Sequence, residues 1–315
     1  MELTPITQQE RRYRLQFISE LDLPISVTND EVFYSGLKVL DEDCTFHNKI
    51  HITALWNLFK DEFINAEECS AEARKLNNLI LNDIVNTKEY KALDSLDIQP
   101  LTQRTKAVKD TLKLNKNLYT EKNLNKKFIS LDIKEADYSI LKVYNVVKED
   151  SFTNLIKKYT DKRFFEFSKK FRQSTLGKLN GKRSTKIQEY LMTKMLSYAD
   201  ISSDNITLNS DEIIVEVQDF NDDDIDELKA QADRIEIEYG IRIRTELFSL
   251  EELRDKNTKL HYIKRLINDE KTLKTVPKTF IIQALKTVYE MEIVDADLYF
   301  YSQDKELAKY IEPRF

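Results

Sequence analysis

The apolar positions of this chain follow two rhythms. Over the first hundred residues they recur every three or four positions, the period of helices with one buried face. Residues 8–23, 29–40, 52–64 and 71–85 are predicted helices. The third carries Leu55, Leu58, Phe59 and Phe63, and the fourth Leu76, Leu79, Ile80 and Ile84. From residue 128 a period of two appears. In FISLDI, Ile129, Leu131 and Ile133 share one face, and Phe128, Ser130 and Asp132 share the other. A helix is predicted next, with Ile140, Leu141 and Tyr144 inward. The stretch 206–217 is a second strand region, in which NSDEIIVEV (209–217) forms a hairpin with Asp211 and Glu212 at its turn. A helix capped by Asn221 then buries Ile225, Leu228, Ala232 and Ile235 and stops at Gly240. The alternating segment 241–247 is a further strand. Beyond 250 the expectation is mainly helices, at 260–268, 279–289 and 304–311, with a short strand at 298–301.

Between the strands lies a different texture. Residues 155–183 interleave Phe164, Phe165, Phe167 and Phe171 with Lys162, Arg163, Lys169, Lys170 and Arg172. Such a block either stacks bases while its cations hold phosphates, or buries its rings and leaves the cations in solvent. A helix with Ile187, Tyr190, Leu191, Met195 and Tyr198 on one stripe follows it.

Composition narrows the classes. The chain has 315 residues, 33% charged and 41% hydrophobic, with four glycines and five prolines. So few glycines argue against a Gly-rich phosphate cradle. No apolar run is long enough to span a membrane, and MELTPITQQERRYR lacks the apolar core of a secretory signal. Cys44 and Cys69 build no disulfide framework, so a reducing, cytoplasmic setting is expected. Cys44, His47 and His51 have the spacing C-x2-H-x3-H with Cys69 beyond, a weak zinc signature beside the ordinary reading of four unrelated side chains. The net charge of −6 conceals a polarised chain. Residues 157–186 hold eleven Lys/Arg against two Asp/Glu, 101–127 hold eight against two, and 210–238 hold two against twelve. Basic blocks around an acidic one suit a protein that grips phosphates and holds cations, although solvated helix faces account for most charge runs.

The carboxylates carry the candidate chemistry. Acidic side chains crowded at the end of a sheet are costly unless a cation lies between them, and hard cations prefer carboxylate oxygens. Asp132 and Asp211, 79 positions apart (132 to 211), sit at the ends of the two strand regions.

The order of parts resembles the palm of template-directed nucleic-acid polymerases. DIKEADYSI (132–140) is similar to the first catalytic motif of reverse transcriptases and RNA-dependent RNA polymerases, and SDEIIVEV to the acidic hairpin of family A DNA polymerases, with Ser210 in place of the usual His. The usual Tyr-x-Asp-Asp or Gly-Asp-Asp is absent. The resemblance spans roughly residues 128–247. It implies an α+β fold, a palm-like antiparallel sheet with helices, flanked by mainly helical N- and C-terminal regions. The corresponding divisions are 1–100, a palm-like catalytic region with a basic fingers-like insertion at 101–247, and a thumb-like 248–315. It further implies Asp132, Asp211 and Glu212 as catalytic ligands of Mg²⁺ or Mn²⁺. Arg172, Lys178, Asn180, Lys182 and Arg183 stand where the family's nucleotide-contacting helix lies. Asp137, five after Asp132, matches the residue that hydrogen-bonds a ribose 2′-hydroxyl, and Tyr138 is an alternative ribose gate. In a second register Asp137 is itself the metal ligand.

The function implied is a small nucleotidyltransferase that extends a 3′-hydroxyl with NTPs, template-directed or terminal. Its partners are nucleic acid, NTPs and proteins of a replication or transcription complex. The alternative is a non-catalytic nucleic-acid-binding or assembly subunit built on a palm-derived domain. A third reading, an unrelated helical interaction protein, requires Asp132 and Asp211 to lie far apart.

Overall fold

The computed structural model describes residues 3–43, 50–179, 181–198, 205–301 and 306–315. The helical rhythm of the first hundred residues becomes α1 (Gln8–Leu21), α2 (Asp30–Asp43), α3 (Ile52–Glu62), α4 (Ala66–Val85), α5 (Lys88–Asp94) and α6 (Gln99–Thr111). Asn65 and Thr87 cap α4 and α5, their side chains accepting from Glu68 N and Tyr90 N. The chain then passes through β1 (Leu114–Asn115) to β2 (Lys127–Ile133), the helices α7 (Ala136–Val143), α8 (Phe152–Ile156), α9 (Lys169–Leu176) and α10 (Gly181–Tyr198), and the hairpin β3 (Ile206–Leu208) and β4 (Glu212–Val217). Next come α11 (Asp223–Tyr239), the long β5 (Ile243–Arg254), β6 (Leu260–Leu266), β7 (Lys271–Lys274), α12 (Ile281–Val288), and a separate ribbon of β8 (Tyr299–Tyr301) with β9 (Leu307–Lys309).

The class is α+β. The main sheet has the order β1-β3-β4-β2-β5-β6-β7. It is antiparallel except where β1 runs parallel to β3, so the sheet is mixed rather than wholly antiparallel. Its centre is a β-α-β-β-α-β unit in which β2, the first strand, lies between β4 and β5, and β3 lies outside β4. Burial explains the layering. Ile129, Leu131, Ile133, Ile213 and Val215 turn to one face and join a continuous core with α7, α10, α11 and the N-terminal helices. Phe128, Ile214, Phe248 and Leu250 point to the other face and are covered by Leu118 and Tyr119.

Several expectations change at the level of elements. Residues 260–266 form a strand, not a helix. In β6 the alternation Leu260, Tyr262, Lys264 and Leu266 pairs with Arg254, Glu252, Leu250 and Phe248, and that ladder outweighs the helical spacing read into the segment. Of 304–311, the described part is strand β9. Asp222, not Asn221, caps α11, its carboxylate accepting from Asp224 N. The stripe Ile225, Leu228, Ala232 and Ile235 is buried as expected, and Gly240 ends the helix in the left-handed region at φ 68°. On α10, Ile187, Leu191 and Met195 are buried, but Tyr198 is exposed.

The aromatic block is core. Phe164, Phe165 and Phe171 have no more than 1% of their surface exposed, and Phe167 packs against the same core. The Phe164 ring lies 4.8 Å from Phe59 and 6.0 Å from Phe17. Base stacking by Phe164, Phe165 and Phe171 is therefore excluded, because they leave no face open to a base. Their neighbouring cations are committed as well. Lys169 pairs with Asp22 at 2.8 Å, Lys170 with Glu20 at 3.6 Å, and Lys162 with Glu68 at 3.4 Å and the Glu62 carbonyl. The basic stretch fastens the insertion to the N-terminal helices.

Candidate active-site cleft

Three backbone segments meet at the end of β2. Asp132 is the cross-strand partner of Glu212 on β4 and of Arg244 on β5. Just beyond, Ile133 N donates to the Asp211 carbonyl at 2.9 Å and Lys134 N to the Arg242 carbonyl at 2.9 Å. These two bonds fix the hairpin turn and the start of β5 beside the Asp132 strand end. The turn itself is tied by Asn209 N donating to the Glu212 carbonyl at 2.9 Å. After Lys134 the backbone enters α7 through Glu135 in the left-handed conformation, φ 51°. That strain is stored at the cleft rim, where such conformations tend to mark functional sites.

A cleft of about 760 Å³ opens at this junction. Its lining mixes carboxylates, among them Asp132, Asp137, Asp211 and Glu236, with the cations Lys134, Arg172, Arg242 and Arg244. Asp132 and Asp211 are thus brought together, and the separation required by the unrelated-protein reading is contradicted. Arg172 reaches the cleft from α9, behind Phe171 in the core. Asp137, in the first turn of α7, accepts from Gln188 Nε2 on α10 at 2.9 Å.

Electrostatics single out Asp132. Burial pushes its carboxyl up to about 6; Arg244 pulls it down, while Glu212 and Asp211 push it up again. The Arg244 Nη2 lies 2.7 Å from Asp132 Oδ2. Further along the same sheet face, Glu246 is held below its ordinary value because the Lys264 ion pair outweighs its burial. Lys274, desolvated and near Lys264, is pushed down.

Other candidates lie elsewhere. Glu212 does not line the cleft: its carboxylate accepts from Ser130 Oγ at 2.6 Å and from Asn209 Nδ2 at 3.2 Å. The Tyr138 ring is 1% exposed in the core, its hydroxyl donating to the Glu149 carbonyl at 3.0 Å, so it cannot gate a ribose in the cleft. Arg183 turns to the Leu96 carbonyl. Lys178 and Lys182 are exposed and outside the cleft lining. Asn180, Cys44 and His47 lie outside the described residues. Cys69 is fully buried, its thiol pushed up to about 12 by desolvation, and His51 is exposed 3.8 Å from Asp41.

Lys134, Arg242 and Arg244 were not among the sequence candidates. The alternation Ile241-Arg-Ile-Arg marks Arg242 and Arg244 as a pair turned from the apolar face, but only the register of β5 against β2 sets Arg244 opposite Asp132. Among the described residues no three His, Cys, Asp or Glu side chains converge closely enough to hold a metal ion. No helix of the described residues is long and apolar enough to cross a membrane. No family model, curated protein or solved structure matches the chain.

Proposed function

We propose that this cleft performs metal-dependent nucleotidyl transfer, extending the 3′-hydroxyl of a nucleic acid with nucleoside triphosphates. One observation carries the reading: Asp132 and Asp211, far apart in sequence, line one cleft at the end of a β-α-β-β-α-β sheet, with Arg172 and Arg244 in the same lining. Donor chemistry fits a hard divalent cation, Mg²⁺ or Mn²⁺. Burial first, then Glu212 and Asp211, raises the Asp132 carboxyl more than Arg244 lowers it, and a bound cation would favour its ionised form. Asp132 and Asp211 would hold the ion, with water and phosphate oxygens completing its shell. When bound, it supplies Lewis-acid charge at the reacting phosphate. Arg172, Lys134 and Arg242 bind and orient the polyphosphate, so that transfer proceeds by positioning and charge neutralisation. Asp137, held by Gln188, is placed to accept from a ribose hydroxyl, which favours ribonucleotides.

A second reading, a palm-derived domain that binds nucleic acid without catalysis, is favoured by the Asp132–Arg244 pair and by the engagement of the Glu212 carboxylate with Ser130 and Asn209. Primer extension with Mg²⁺ or Mn²⁺ and separate rNTP and dNTP pools decides between them. Extension by wild type that disappears in Asp211→Asn supports nucleotidyl transfer, and incorporation of deoxynucleotides alone removes the role given to Asp137. Absence of extension with every primer and metal, beside intact nucleic-acid binding, leaves the second reading.

A further inference from the structure

Arg244 presents the cleft with a conflict. Its guanidinium satisfies Asp132 at 2.7 Å, yet Asp132 is a proposed cation ligand. A cation and a guanidinium cannot both take that carboxylate at full strength, since each is held by the same oxygens. Arg244 is also the more exposed partner. Its side chain is 57% exposed against 19% for Asp132, and its other contact, with Glu246, is a loose 3.6 Å. A guanidinium fork so held exchanges readily onto phosphate oxygens, which it recognises bidentately. Arg172, from α9, lines the same cleft and offers such an anion a second guanidinium.

Resting on the nucleotidyl-transfer reading, we propose that Arg244 couples the two ligands of the cleft. It competes with the divalent cation for Asp132, and the polyphosphate of a nucleoside triphosphate relieves the competition by drawing the guanidinium away. Cation and triphosphate therefore bind with positive cooperativity that passes through this side chain. The coupling is reciprocal, as linkage requires.

The test is Mn²⁺ titration of the full chain, read by electron paramagnetic resonance of free Mn²⁺, with the Mn²⁺ chelated by the analogue alone measured in protein-free titrations and subtracted. It is run with and without a non-reacting α,β-methylene nucleoside triphosphate, on wild type, Arg244→Ala and Asp132→Asn. Expected for wild type is weak Mn²⁺ binding alone, tightened roughly 5- to 100-fold by the analogue, the ordinary range of coupling between two sites. Arg244→Ala is expected to bind Mn²⁺ more tightly than wild type without the analogue and to lose most of the tightening. Far-UV circular dichroism shows whether each variant is folded; Arg244→Lys, which keeps the charge but not the fork, should restore competition and recover little of the coupling. Mn²⁺ binding that is abolished by Asp132→Asn but equal in wild type and Arg244→Ala overturns this inference and leaves the nucleotidyl-transfer reading standing. No Mn²⁺ binding by any folded variant, with or without analogue, overturns both.

Discussion

Asp132 on β2 and Arg244 on β5 are direct cross-strand neighbours, with carboxylate and guanidinium 2.7 Å apart, yet the carboxyl stays elevated at about 6. Burial outweighs the guanidinium, and Glu212 and Asp211 add to it. The folded protein therefore binds a proton that an unfolded Asp releases near its ordinary value of about 3.9. The sign follows: this stabilisation is complete below about pH 4 and is lost as pH rises through about 6. Asp132→Asn removes the dependence. After discount for solvent screening, it should be more stable than wild type by about 1 kcal/mol near pH 8. Near pH 5 the gap should narrow, because the native carboxyl is then largely protonated. Urea midpoints at the two pH values check this, and a variant less stable than wild type near pH 8 refutes it.

The aromatic insertion offers a test of core against contact surface. Phe164 touches Phe17, Phe59, Phe63 and Phe165. Phe164→Ala should cost about 3–5 kcal/mol, the usual price of emptying a buried aromatic site. Chemical denaturation reads the loss. Unchanged stability beside weakened nucleic-acid binding would mean that the ring faces a ligand after all.

A buried ion pair fastens the turn at Asp295–Leu298 to α12, and Ser35 on α2 touches both partners. Lys286 and Asp297 lie 2.6 Å apart with side chains 5% and 2% exposed, and Asp297 also accepts from Ser35 Oγ and Val294 N. Asp297→Ala strands a buried ammonium and should cost about 3–5 kcal/mol. Replacing both partners, Lys286→Met with Asp297→Leu, should cost less than the single change. Thermal unfolding of the three variants gives the comparison; strictly additive losses would show that the charges do not act as a pair.

Gly240 turns the chain from α11 toward Arg242 and the strand that carries Arg244. Its φ of 68° is one that a Cβ disfavours, although no neighbouring atom would clash with it. Gly240→Ala should therefore cost about 1 kcal/mol through backbone conformation alone. Gly240→Asn, better tolerated there, should recover part of it, and equal midpoints for all three proteins would contradict the assignment.

Local pattern made the centre of the fold legible. The alternation of residues 128–133 revealed β2 and its two faces, because side-chain period needs no knowledge of partners. Asp211 at a hairpin turn and the buried stripe of α11 were readable for the same reason. What failed was long-range pairing. Residues 260–266 became a strand because β5 extends to Arg254 and offers an edge, which nothing within the segment announces. Glu212 was misread because it shares the face of Asp132, its cross-strand partner, but its carboxylate is captured there by Ser130 and Asn209, which only the register of β4 on β2 reveals. Tyr138 and Asp137 part because successive helical positions face different ways. Arg244 stayed invisible because its importance rests on a register between strands more than a hundred residues apart.

The shared aromatic cluster also has a consequence for synthesis. Phe17, Phe59 and Phe63 pack against Phe164, which lies about a hundred residues after Phe63. At roughly 5–20 residues per second, the ribosome delivers that partner some 5–20 s later. During this interval the first helices leave the exit tunnel with their largest rings uncovered. A nascent chain paused before residue 164 would be a natural client for chaperones, and its protection from protease should jump once the block at 164–171 is free to close over the rings.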